Sequence, residues 1–124
     1  MKALITLFAL LIATTSDAQC RFVTHSFASI APSGEWTQYH SKEPIILDYW
    51  FDHVKIIKPD EYFHINQLEE IIDEYPVQKL IFKGWFVMVS NINICDWIGV
   101  ANDQGTLIFI NNEDLNYDEI IRKF

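Results

Sequence analysis

The chain has 124 residues, half of them hydrophobic, and its 17 acidic and 9 basic residues give a formal net charge of -8. This length corresponds to about one domain, and the apolar content is too high for a disordered chain. The acidity argues against a nucleic-acid partner, because phosphate binding requires a basic face.

The first eighteen residues have the pattern of a signal peptide. Lys2 supplies the charged start, residues 3–13 form an apolar run, and Ser16 and Ala18 place small side chains three residues and one residue before a cleavage point. The run is too short for a transmembrane helix, which needs about 20 residues. We therefore expect a periplasmic or secreted protein, cleaved after Ala18, whose mature chain has no transmembrane segment.

Two cysteines, Cys20 and Cys95, remain in the mature chain. An even number of cysteines in an oxidising compartment favours a disulfide, here closing a loop of about 75 residues worth about 4 kcal/mol. The alternative is a pair of free thiols, with Cys95 in the core. Their spacing excludes a CxxC redox motif, and their number excludes a four-cysteine zinc site.

Short β segments separated by turns fill most of the mature chain. Residues 19–33 read as an N-terminal leader, and residues 34–124 read as one antiparallel β domain. The expected strands are 35–40, 44–51, 54–58, 62–66, 77–82, 85–89, 94–101 and 106–110. The clearest hairpin turn spans residues 102–105, where Gly105 can adopt a positive φ. The pattern predicts a mainly β fold, an antiparallel meander forming a small barrel or a two-layer sandwich.

Two segments could be short helices. In residues 67–75 the apolar side chains recur at helical spacing and acidic residues fill the opposite face, so a helix ending before Pro76 is predicted. The competing interpretation is a further strand with an acidic edge. Residues 115–123 read as a short helix or an edge strand, with Asp114 as a candidate N-cap.

The mature sequence resembles a loose group of small exported proteins of Bacteroidota. The similarity covers about residues 33–110 and is carried by Ala18-Gln19, Trp36, Asp48 or Asp52, Tyr62 and the turn Asp103-Gln104-Gly105. The cysteine positions and the acidic segment 67–75 depart from the pattern. The resemblance implies a small antiparallel β domain, and it brings no known activity.

Catalytic and metal motifs are not found in the sequence. The histidines His25, His40, His53 and His64 lack the spacings of local metal sites, and the serines lie outside GxSxG. We therefore predict neither catalytic residues nor a metal or cofactor. A small hydrolase would require two of the residues His40, His53, Asp48 and Asp52 to converge in a cleft.

Aromatic residues are the strongest functional signal. Three adjacent aromatics on a strand must alternate faces, so at least one of Tyr49, Trp50 and Phe51 should point away from the core. We expect a non-enzymatic domain that binds a protein, a glycan or a small apolar ligand through these residues. The alternatives are the hydrolase and an acidic inhibitor or immunity-type protein, which would present residues 69–74 to a basic partner.

Overall fold

The computed structural model describes residues 18–124, so the predicted signal peptide lies outside the described residues except for Ala18. The mainly β prediction is confirmed. The strands are β1 (Cys20–Ile30), β2 (Trp36–Trp50), β3 (His53–Ile57), β4 (Tyr62–Ile65), β5 (Leu68–Glu74), β6 (Val77–Phe82), β7 (Trp85–Ser90), β8 (Trp97–Asn102) and β9 (Gly105–Ile110), followed by helix α1 (Tyr117–Ile121).

All nine strands belong to one antiparallel sheet in the order β4-β3-β2-β1-β9-β8-β7-β6-β5. The two edge strands, β4 and β5, follow each other in the chain with only Asn66 and Gln67 between them. Gln67 has a φ of 68°, a left-handed conformation that turns the chain at this point. Because so short a link joins opposite edges, the sheet must curl into a half-barrel.

Strand alternation divides the apolar side chains into two layers. Along β8, Ile98 and Val100 point into the concave inner layer, whereas Trp97 points to the convex outer face. The inner layer is the larger one and is built from residues such as Phe22, Leu47, Tyr49, Ile56, Leu80, Val87 and Phe109. The sheet is therefore filled on its concave side, as the predicted meander requires.

Helix α1 covers the outer face of the sheet near β9. Ile120 of this helix is buried against the sheet, together with Trp97 and Ile108. Of the two interpretations of residues 115–123, the short helix is the one present, over Tyr117–Ile121. Its N-cap is Asn116, whose side chain accepts a hydrogen bond from the Glu119 backbone N–H, and not Asp114.

The predicted helix at 67–75 is wrong, because this segment is β5, paired with β6. The reason is a bulge at Glu69. Leu68 pairs with Phe82 and Ile71 pairs with Leu80, so both side chains face the concave side although they are three residues apart. A bulged strand thereby imitates the apolar spacing of a helix.

Residues 19–33 are not a leader but contribute a central strand. β1 pairs with β2 along most of its length and with β9 through residues 28–30. The two expected strands 35–40 and 44–51 are one long strand, β2. Its register jumps from Ile45 to His40 while β1 moves only from Thr24 to Ser26, so the intervening residues of β2 bulge out.

The disulfide between Cys20 and Cys95 is present and joins the start of β1 to the loop before β8. Cys20 is buried in the inner layer, so the bond fastens the N-terminal strand to the core. In residues 18–124 no helix is long and apolar enough to cross a membrane.

Candidate functional site

One end of the curled sheet opens into a cavity of about 220 Å³, which we call the mouth cavity. Strands from both halves of the sheet contribute to its wall. Its lining consists of Ser29, Ile56, Glu61, Phe63, Trp85, Val100, Asn102, Gln104, Gly105, Thr106 and Leu107. Cavities at the end of a curled sheet are frequent ligand sites, because the strands hold the wall rigid while the turns supply polar groups.

Phe63 and Trp85 form the aromatic wall of the mouth cavity. Phe63 pairs across the strands with the buried residue Ile56, which sets its ring on the concave side. Trp85 begins β7 directly after Gly84, whose φ of 80° makes the tight turn from β6. The two ring centroids lie 5.9 Å apart with their planes at 68°, an edge-to-face arrangement that leaves both rings half-buried.

The bottom and the rim of the mouth cavity differ in polarity. Ile56 and Val100 are fully buried and supply an apolar bottom. Asn102 and Gln104 lie at the rim, in the hairpin turn that the sequence predicted, and the Asn102 side-chain oxygen accepts a hydrogen bond from the Gln104 backbone N–H over 2.8 Å. A ligand would therefore meet an apolar interior and an amide-bearing edge.

Glu61 is the one charged residue in the lining formed by the described chain. Its carboxylate accepts a hydrogen bond from Lys58 over 3.1 Å, and the same ammonium lies 5.9 Å from the centre of the Phe27 ring. The ion pair balances the acid, so the cavity carries little net charge although the protein as a whole is strongly acidic.

The predicted aromatic triplet does not form one surface. Tyr49 is 1% exposed and belongs to the inner layer, where burial raises the pKa of its hydroxyl to about 12. Trp50 lies half-buried on the convex face, stacked on His53 with centroids 4.1 Å apart. Phe51 stands in the β2–β3 turn and is exposed. Tyr49 is thus a core residue and not a surface contact, because strand alternation sends it inward.

A cluster of polar and aromatic side chains surrounds Trp50. The Asp52 carboxylate lies 2.8 Å from His53 Nδ1, and the His53 and His64 rings meet edge to face at 5.5 Å. The pKa of His64 is lowered from its ordinary value, first by partial desolvation and then by the neighbouring His53 and Lys55. Within residues 18–124 no group of three or more His, Cys, Asp or Glu side chains could hold a metal ion.

Two of the four residues in the hydrolase hypothesis, Asp52 and His53, lie within hydrogen-bond reach of each other. Asp48 is bound by Arg21 through two hydrogen bonds of 2.7 and 2.8 Å. His40 is exposed on a different part of β2, and Asp52 lies in the β2–β3 turn beside His53, the first residue of β3. None of His40, Asp48, Asp52 and His53 lines the mouth cavity.

Sequence patterns indicated the strands of the mouth cavity but not the cavity itself. Residues 85–89 read as a strand buried on both faces, which hides the position of Trp85 at the end of the sheet. The adjoining Lys83-Gly84 turn is the signal that places this ring at a strand end.

Comparison of the chain with protein-family models, with curated proteins and with solved structures finds no match in any of the three. The similarity to small exported proteins of Bacteroidota therefore stays a prediction.

Proposed function

We propose that this protein is an exported, non-enzymatic β domain that binds a small ligand in the mouth cavity. The observation that carries this proposal is the aromatic wall formed by Phe63 and Trp85, open to solvent above an apolar bottom. Half-buried aromatic rings beside polar groups are typical of ligand sites, because they bury much area with little loss of side-chain freedom.

The size of the mouth cavity sets the scale of the ligand and its affinity. At about 220 Å³ the cavity is smaller than the ~300–1,000 Å³ common for drug-sized ligands. A ligand of about ten non-hydrogen atoms, each contributing roughly 0.4 kcal/mol, would bind with a dissociation constant in the millimolar range. Such binding suits a ligand that is abundant or that forms part of a larger molecule.

A fragment screen by NMR tests the proposal. The indole N–H signals of the mature protein are followed while small probes are added, and Trp85→Leu is compared with Trp50→Leu. Trp50 is the matched control because it is also half-buried but lies on the convex face. We expect saturable shifts that disappear in Trp85→Leu and persist in Trp50→Leu. Shifts that depend on Trp50 instead would contradict the proposed site.

A second candidate function is docking of a basic protein along β5. This strand is a sheet edge, and its acidic side chains Glu69, Glu70, Asp73 and Glu74 are exposed. An edge strand offers unpaired backbone groups to a partner strand, and the carboxylates would favour basic side chains. Two of these acids already have partners, since Glu74 pairs with Lys79 over 2.6 Å and Asp73 bonds to Asn91.

Capture of a basic partner would distinguish this second candidate. We expect the immobilised protein to retain a basic protein, and this retention should weaken as the salt concentration is raised. The double variant Glu69→Lys/Glu70→Lys should lose it. The control Glu113→Lys, which changes an exposed acid far from β5 in sequence, should keep it. Retention that does not depend on salt or on these substitutions would exclude docking at β5.

Export is the third part of the proposal. It is supported by the signal-peptide pattern in residues 1–18 and by the compatibility of a disulfide with an oxidising compartment. Expression of the full chain in a Gram-negative host should give a periplasmic or secreted product whose intact mass corresponds to a chain starting at Gln19. A product that keeps residues 1–18 in the cytoplasm would contradict export.

A further inference from the structure

We infer that the mouth cavity recognises a neutral sugar ring, as found in a monosaccharide or at the end of a glycan. This inference rests on the proposed function, because it specifies the chemistry of the ligand at the same site. Three properties of the lining lead to it: the shape of the aromatic wall, the type of polar group at the rim, and the charge.

The aromatic wall suits a ring with one apolar face. A pyranose carries its C–H bonds on a flat face and its hydroxyls around the edge. Phe63 and Trp85 stand at 68° to each other, so one ring can lie under the C–H face while the other closes the side. A flexible alkyl chain would use only the apolar bottom of the cavity and would leave the amide groups of the rim hydrogen-bonded to water.

The polar groups at the rim match hydroxyls in kind. Amide and hydroxyl side chains both donate and accept hydrogen bonds, as sugar hydroxyls do, and the lining carries three such residues: Ser29, Asn102 and Gln104. The Asn102 oxygen already accepts the Gln104 backbone N–H, so its NH2 group is the part that can donate to a ligand oxygen.

The charge of the lining disfavours ions of either sign. An anion would enter a protein of net charge -8 at a cavity whose lining contains no basic residue in the described chain. A cation would need the Glu61 carboxylate, which is already bonded to Lys58 over 3.1 Å. A neutral, hydroxyl-rich ligand is the class that meets neither obstacle.

The experiment compares probes of similar size and different charge against the mature, disulfide-bonded protein. Methyl glycosides of glucose, galactose, mannose and N-acetylglucosamine are titrated in parallel with choline, benzoate and cyclohexanol, and amide and indole shifts are recorded by NMR. We expect at least one glycoside to shift Trp85 and residues 102–106 with a dissociation constant of order 1 mM, and to bind at least fivefold more tightly than the ionic and apolar probes.

Two variants test the aromatic wall and the polar rim separately. Trp85→Leu should weaken glycoside binding about tenfold or more, while Trp50→Leu should leave it unchanged. Gln104→Ala alters an exposed turn side chain and should weaken binding severalfold without disturbing the core. Unchanged amide spectra far from the cavity would show that each variant is folded.

The outcomes separate the inference from the proposed function. If choline, benzoate or cyclohexanol binds in a Trp85-dependent way and no glycoside does, the sugar inference is overturned and the proposed function stands. If glycosides shift only residues outside the mouth cavity, the sugar inference is likewise overturned, and if no probe shifts the mouth cavity, both are overturned.

Discussion

The ring of Phe124 lies directly against Gly99 on the convex face of β8, where any Cβ at Gly99 would overlap the ring. Phe124 also meets the Trp97 ring edge to face, with centroids 6.2 Å apart. Since Trp97 is buried and Phe124 follows helix α1, this contact fixes the end of the chain to the outer apolar layer.

Gly99→Ala should therefore displace Phe124 and loosen the segment after α1. We expect a loss of at most about 1 kcal/mol in the free energy of unfolding, because the overlapping ring belongs to a partly exposed side chain that can turn away. Urea denaturation of the wild type and the variant measures it, with circular dichroism as the signal.

Phe124→Ala supplies the control for this contact. In a Phe124→Ala background the added methyl group meets no ring, so Gly99→Ala should cost a few tenths of a kcal/mol at most. Equal costs in both backgrounds would show that Gly99 is required for a reason other than the Phe124 ring.

Reduction of the disulfide should destabilise the fold strongly. Cys20 and Cys95 are 75 residues apart, so the bond removes about 4 kcal/mol of chain entropy from the unfolded state. Cys20→Ser/Cys95→Ser should lose an amount of this order in urea denaturation, and dithiothreitol should lower the wild-type midpoint similarly. A midpoint that does not respond to reductant would contradict this role.

The β fold was predictable because its strands carry their own signals. The β8–β9 hairpin followed from the turn at residues 102–105, and its pairing has Asn102 opposite Gly105. The strand at residues 67–75 was not predictable, because the bulge at Glu69 gives Leu68 and Ile71 the spacing of a helical face. Only pairing with β6, a contact between chain segments, decides between the two.

The mouth cavity was beyond prediction for a different reason. It exists because β4 and β5, which follow each other in the chain, form the opposite edges of the sheet, and the resulting curl brings Phe63 and Trp85 together. Local patterns place each ring on a strand but do not specify the curl that joins them. Strand alternation predicts that at least one of Tyr49, Trp50 and Phe51 points away from the core, but it does not say which; Phe51 is exposed, whereas Tyr49 lies in the core.

In the Arg21–Asp48 ion pair, removal of the arginine should lower the free energy of unfolding more than removal of the aspartate. The Asp48 side chain is 8% exposed and the Arg21 side chain 38%. Arg21→Met leaves a carboxylate buried without its cation and should cost about 3 kcal/mol. Asp48→Leu leaves a guanidinium that can reach water and should cost about 1 kcal/mol.

The double variant Arg21→Met/Asp48→Leu tests the cause of this asymmetry. Since it removes both charges and keeps apolar bulk, it should be more stable than Arg21→Met alone. If Asp48→Leu proved the more damaging single change, desolvation of the carboxylate would not be the dominant cost.

His64 should titrate below its ordinary pKa of 6.5, because it is partly desolvated and faces His53 and Lys55. His53→Asn removes one of these positive neighbours and should raise the pKa of His64 in an NMR titration. Lys58→Asn is the control, since it removes a positive charge that is not among the causes of the shift. An unchanged pKa in His53→Asn would rule out the ring-to-ring coupling.

Alkaline pH should destabilise the protein through Tyr49. Its pKa is raised from 10 to about 12 by burial, so the folded state keeps a proton that the unfolded state releases. Below pH 10 both states are protonated and this residue adds no pH dependence. Between pH 10 and 12 stability should fall, by roughly 2–3 kcal/mol in total, because the unfolded state binds fewer protons.

Urea midpoints measured from pH 9 to 12 should show this decline in the wild type and a shallower one in Tyr49→Phe, which keeps the buried ring and has no proton to lose. Parallel declines in the two proteins would mean that Tyr49 is not the residue that resists ionisation.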